Sequence, residues 1–176
     1  MALAFRKIDR KPLWTKTPEA DEKVWLRAGE LQADALGELK TERNKLSIYF
    51  VNDNAGVTVE RIVAAFAARR ERIVKFDYIT FDSSLLTALE LRSENTPGDT
   101  PDSGVNDNHV DLIQLTATKL TQLGMTMQQQ GVLNRKLDQQ VGRLINIGLA
   151  AGHIDRSQVS GDILRKLGEP RFQAAK

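Results

Sequence analysis

Apolar side chains follow two different patterns along the chain, one on each side of a polar stretch at residues 93–108. On the N-terminal side, Leu46-Ser47-Ile48-Tyr49-Phe50-Val51 is almost continuously apolar and rich in β-branched and aromatic residues. That composition predicts a strand covered on both faces. A turn, Asn52-Asp53-Asn54-Ala55-Gly56, interrupts it, and a helix is predicted from about Thr58 to Ile73. Val59, Ile62, Val63, Phe66 and Ala67 form its inner stripe, with Arg61, Arg69, Arg70 and Arg72 mostly outward. A second strand, Tyr78-Ile79-Thr80-Phe81, ends at Asp82. Strand, helix and strand in this order predict a βαβ unit with a right-handed crossover in a small parallel or mixed sheet.

Weaker signals surround this unit. Leu31, Ala35, Leu36 and Leu39 make a helical stripe over residues 30–40, with a break expected at Gly29. Val24-Trp25-Leu26 reads as a short strand or a helix start, and Leu85 to Leu91 as a short helix. Residues 1–18 are basic and contain Pro12 and Pro18, which argue against regular structure, while Trp14 offers an apolar anchor for docking the segment.

Beyond the polar stretch the period changes. From Asn108 to about Ala151, a heptad frame places Ile113, Leu120, Met127, Asn134 and Val141 at one core position. Thr116, Leu123, Gln130, Leu137 and Leu144 occupy the other. About five heptads in one frame exceed the three or four expected of a coiled coil. Gly124, Gly131 and Gly142 oppose a continuous helix, at about 1 kcal/mol each relative to alanine. Two forms stay open: one long helix with Gln130 and Asn134 as a polar layer, or a helical hairpin bending at Gly131. Gly152 ends the arm, and a last helix spans Ser157 to Leu167, capped by Ser157 or Ser160. The expected organisation is a basic segment (1–18), an α/β module (19–92), a polar linker (93–108) and a C-terminal helical arm (109–176).

Composition narrows the classes. The chain has 176 residues, 41% hydrophobic and 27% charged, with a formal net charge of +2. These are globular proportions, and the charge is too small to argue for nucleic acid or a membrane surface. There is no cysteine, which removes disulfides, thiolate metal sites and cysteine nucleophiles. No apolar run reaches the roughly 20 residues of a membrane span, and the first residues lack a signal-peptide pattern, so a cytoplasmic protein is expected.

The candidate chemistry is sparse. Asp53 and Asp82 follow the two predicted strands, and strands that are neighbours would bring both carboxylates to one sheet edge, where they could hold a magnesium ion. Turn and cap chemistry explains the same residues. Neither G-x-x-x-x-G-K-[ST] nor G-x-G-x-x-G occurs, which argues against a P-loop or dinucleotide site. His109 and His153 have no second ligand at zinc spacing, and Ser83, Ser84, Ser157 and Ser160 lack a nucleophile elbow. Arg69, Arg70 and Arg72, with Lys75, could contact an anion, together with Arg6, Lys7, Arg10 and Lys11; cations are also simply favoured at a helix C-terminus.

The expected function is a non-enzymatic, regulatory, adaptor-type protein acting through protein–protein contacts and needing no cofactor. Its interface would be the seam of Leu120, Leu123, Met127, Gln130, Asn134, Leu137, Val141 and Leu144, with a protein partner or a homo-oligomer on it. The alternatives are a magnesium-dependent phosphate-processing enzyme using Asp53 and Asp82, and a nucleic-acid-binding regulator.

Overall fold

A computed structural model describes residues 2–15 and 30–173. Strands and short helices alternate: β1 (Leu3–Ile8), α1 (Ala33–Gly37), β2 (Leu46–Val51), α2 (Val59–Ala68), β3 (Phe76–Asp82), α3 (Ser84–Ala88), β4 (Arg92–Asn95), α4 (Ser103–Asn106), β5 (His109–Ile113), α5 (Ala117–Gln130), β6 (Val132–Lys136), α6 (Asp138–Ala150) and α7 (Gly161–Leu167). The strands form one six-stranded antiparallel sheet in the order β4-β5-β2-β1-β3-β6. The segment Val24-Trp25-Leu26 lies outside the described residues.

The predicted βαβ unit with neighbouring strands is therefore corrected. β1 lies between β2 and β3 and pairs antiparallel with β3, from Leu3 opposite Asp82 to Ile8 opposite Asp77. An N-terminal segment expected to be irregular thus supplies a central strand. Its charges are accommodated at the ends of long side chains: the Arg6 Nη1 donates to the Ser47 carbonyl at 2.7 Å, and burial pushes the guanidinium pKa down. Pro12 sits at the start of a 3-10 turn, Lys11–Trp14, where its missing N–H costs little. Trp14 is fully buried and its Nε1–H donates to the Glu38 carboxylate at 2.8 Å. The same carboxylate accepts the Asp9 N–H at 3.2 Å, so one buried acid fixes the exit of β1.

Two further expectations fall. Residues 93–108 are not an unstructured linker: they carry most of edge strand β4, which pairs antiparallel with β5, and the helix α4. The C-terminal half is neither a long helix nor a helical hairpin, because β6 separates α5 from α6. Gly131 closes α5, its N–H donating to the Met127 carbonyl at 2.9 Å. A Cβ there would collide with the Ile79 side chain, so the chain turns where only glycine fits.

The chain divides into two compact units that alternate along the sequence. The first comprises Met1–Phe50, Asp77–Asn95 and Val110–Asn134. Its core joins Ala4, Ile8, Leu46, Ile48, Ile79 and Phe81 of the sheet to Leu123 and Met127 of α5, with Trp14 and Leu39. The second comprises Val51–Phe76, Thr96–His109 and Arg135–Lys176. Within it α2 packs along α6, and the buried alanines of α2 (Ala64, Ala65, Ala67, Ala68) keep that face shallow. α6 also carries the C-terminal 3-10 turn Pro170–Phe172: Gly142 leaves room for the Phe172 ring, and the Asn146 Nδ2 donates to the Phe172 carbonyl at 2.9 Å.

Candidate functional site

The second unit contains a cleft of about 240 Å³. One wall is the first two turns of α2, bearing Glu60, Arg61 and Ala64, and the other is the later half of α6 with Leu144, Ile147 and Gly148, together with its C-cap Ala151. His153 and Ile154 close one end, and Gly56, Thr58 and Asp102 complete the lining. α2 starts where it does because the Thr58 hydroxyl accepts the Arg61 N–H at 3.2 Å, a helix N-cap. Gly148 shapes the α6 wall, since a Cβ there would meet Ile154 at 2.6 Å.

One ion pair dominates the polar side. Arg61 Nε donates to Asp102 Oδ2 at 2.6 Å and Nη2 donates to Oδ1 at 2.7 Å, a bidentate fork. The Asp102 side chain has no exposed surface and that of Arg61 retains 16%. Asp102 also caps α4, accepting the Val105 N–H at 3.1 Å, so its carboxylate is enclosed by donors. The bonds to Asp102 raise the Arg61 pKa and keep the guanidinium charged. Arg61 Nη1 donates to the Gly56 carbonyl at 3.2 Å. Three of the five guanidinium N–H donors are thus engaged. Glu60 is engaged by Lys136 at 3.2 Å.

The expected site residues scatter. Leu123 and Met127 are buried in the first unit's core, with half-buried Leu120 packed against it, and Gln130 is the exposed last residue of α5. Asn134 lies in β6 and its Nδ2 donates to the Val132 carbonyl at 3.1 Å. Val141 is buried in the second unit, Leu144 lines the cleft, and Leu137 stands 57% exposed at the start of α6. The eight positions therefore do not form one seam. Arg69 is bound to Asp99 by charge and by its carbonyl, and Arg70 stacks over the Phe76 ring at 4.6 Å and donates to the Lys75 carbonyl. Arg72 is exposed.

The strands preceding Asp53 and Asp82 are not neighbours, which removes the premise for a shared ion. Asp53 opens a 3-10 turn capped by Asn52. Asp82 accepts the Ser84 N–H at 2.8 Å, and that bond lowers its pKa. Among the described residues no three His, Asp or Glu side chains gather as a metal site would need. His109 begins β5 rather than a helix and is buried against Thr96, whereas His153 reaches the cleft. Ser160, not Ser157, caps α7.

Sequence reasoning missed Arg61, Asp102 and Ile147. Asp102 did carry a signal, since Asp is a favoured helix N-cap and α4 follows it directly. Ile147 falls outside the heptad core positions, so that frame gives it no weight. By fold and site this is a mixed α/β protein with a six-stranded sheet and an apolar cleft beside a buried ion pair. Compared with known protein families, curated proteins and solved structures, the chain matches none. Among the described residues no helix is long and apolar enough to cross a membrane.

Proposed function

We propose that the chain is a non-enzymatic interaction protein whose cleft receives a large apolar side chain of a protein partner. The observation that carries this reading is the combination of an open aliphatic wall and a charge-neutral polar corner. Ile147 is 57% exposed beside Leu144, Ala64 and Ile154, so apolar surface is left for a partner to cover. Arg61 is already neutralised by Asp102, so a neutral carbonyl oxygen suits this corner better than an anion. A peptide supplies both features: a side chain for the wall and a backbone carbonyl for the corner. The volume of about 240 Å³ lies below the roughly 300–1,000 Å³ of small-molecule sites and suits one anchoring side chain. Both carboxylates at the cleft are engaged, Asp102 by Arg61 and the Val105 N–H and Glu60 by Lys136, so neither is free to serve as a general base.

Selection from a displayed random-peptide library tests this. Enriched peptides should share a large apolar residue, and Ile147→Asp should weaken their binding at least about tenfold while leaving the fold intact. No enrichment, or binding indifferent to Ile147→Asp, would refute the reading.

A further inference from the structure

Resting on the same reading of the cleft, we infer that Ile154 is its specificity-determining residue, the stop that sets how large an apolar anchor the cleft admits. Ile154 lines the closed end of the cleft, yet only 4% of its surface is exposed, so protein backs it on nearly every side. Ile147, on the open wall and 57% exposed, adds contact area but sets no such limit.

An end wall selects by size only where it cannot give way, and three features hold this one. The chain leaves α6 through a Schellman motif. Gly152 takes the left-handed conformation at φ 71°, its N–H donates to the Leu149 carbonyl at 3.2 Å, and the His153 N–H donates to the Gly148 carbonyl at 2.9 Å. That reversal brings Ile154 back to Gly148, whose carbonyl also accepts the Ile154 N–H at 3.2 Å. Gly148 itself is the second feature: a Cβ there would meet Ile154 Cδ1 at 2.6 Å, so the isoleucine seats against α6 where no side chain intervenes. The third is Asp155, whose N–H donates to the Pro101 carbonyl at 2.7 Å and whose carboxylate accepts the Ser157 N–H at 2.9 Å. Residues 153, 154 and 155 are thus each fixed through their own N–H. A close-packed wall held in this way discriminates, whereas flexible surfaces repack and accept many partners.

The test takes one peptide selected on the wild type and remakes it with valine, leucine, phenylalanine or tryptophan at its anchor position. Fluorescence anisotropy then gives the affinity ratio of the largest to the smallest anchor. Ile154→Ala removes three carbons from the stop and should raise that ratio at least about tenfold over wild type. Ile154→Val removes one carbon and should raise it about fourfold, which decides the matter if the alanine variant does not fold. A merely structural effect would weaken all anchors together and leave the ratio where it was. A ratio within about twofold of wild type in the folded variants would overturn the assignment of Ile154. If binding then still depends on Ile147, the cleft reading stands and only its stop is misplaced; no enriched peptide at all would remove both.

Discussion

Replacing Asp102 with alanine removes both arms of the Arg61 fork, at 2.6 and 2.7 Å, and the cap of α4 at 3.1 Å. It leaves a guanidinium with little access to water. Removing one member of a buried pair costs about 3–5 kcal/mol, because the survivor is desolvated without compensation. Arg61 keeps 16% exposure and can recover some hydration, which moves the expectation to about 3–4 kcal/mol. The lost cap alone is worth about 1 kcal/mol, but it shares an oxygen with the fork and is not added in full. With a urea slope of about 2 kcal/mol/M, the midpoint should fall by about 1.5–2 M, read by far-ultraviolet circular dichroism. Arg61→Ala with Asp102→Ala should be less destabilised than the two single costs added together, with a coupling of about 2 kcal/mol or more. For Asp102→Ala, a midpoint within about 0.5 M of wild type, equivalent to about 1 kcal/mol, would refute the claim that the pair is buried and tightly coupled.

Four other outcomes follow from the local packing and hydrogen bonds. Trp14→Phe keeps an aromatic ring but deletes the donor to Glu38, and should cost about 1–2 kcal/mol in a denaturant titration; an unchanged midpoint would mean the bond contributes nothing. Gly142→Ala drives a Cβ into the Phe172 ring and should destabilise by about 1–3 kcal/mol. Gly161→Ala, with nothing within 4 Å of the added carbon, should be neutral or stabilising by up to about 1 kcal/mol; equal effects at the two sites would refute the packing described for α6. Asp82, held by the Ser84 N–H, should titrate below an ordinary aspartate in a carbon-detected NMR titration. A folded-state pKa below the unfolded one means that its contribution is present above the unfolded value and is lost as pH falls through the folded value. The effect is therefore confined to acid below about pH 4, and a normal or raised midpoint would contradict the turn geometry.

Much of the central region was legible because its signals are local. The strand at Leu46–Val51 is dense in β-branched and aromatic residues, and Thr58 with the stripe from Val59 to Ala67 marks α2. Strand order was not legible, since nothing in β2, α2 or β3 announces that Leu3–Ile8 will insert between the two strands. β1 was hidden by Arg6 and Lys7, whose charges suggested a basic tail although a half-buried side chain can still reach a carbonyl. The long heptad frame was misleading for a geometrical reason. α5 ends at Gln130 and α6 begins at Asp138, so the seven residues between them equal one heptad and the frame crosses β6 without a phase shift. Of the cleft, only Leu144 lay among the expected interface positions. Arg61 read as an outward charge, and its partner sat in a stretch too polar to suggest a buried carboxylate.

The alternation of the two units along the chain has a consequence for synthesis. α2 is complete at Ala68, yet the helix it packs along begins only at Asp138. At about 5–20 residues per second, translation of the intervening stretch takes on the order of 4–14 s. Throughout that interval α2 has no α6 to pack along. A chain halted before residue 138 would remain in that state indefinitely, presenting to chaperones and proteases a surface that the finished protein hides.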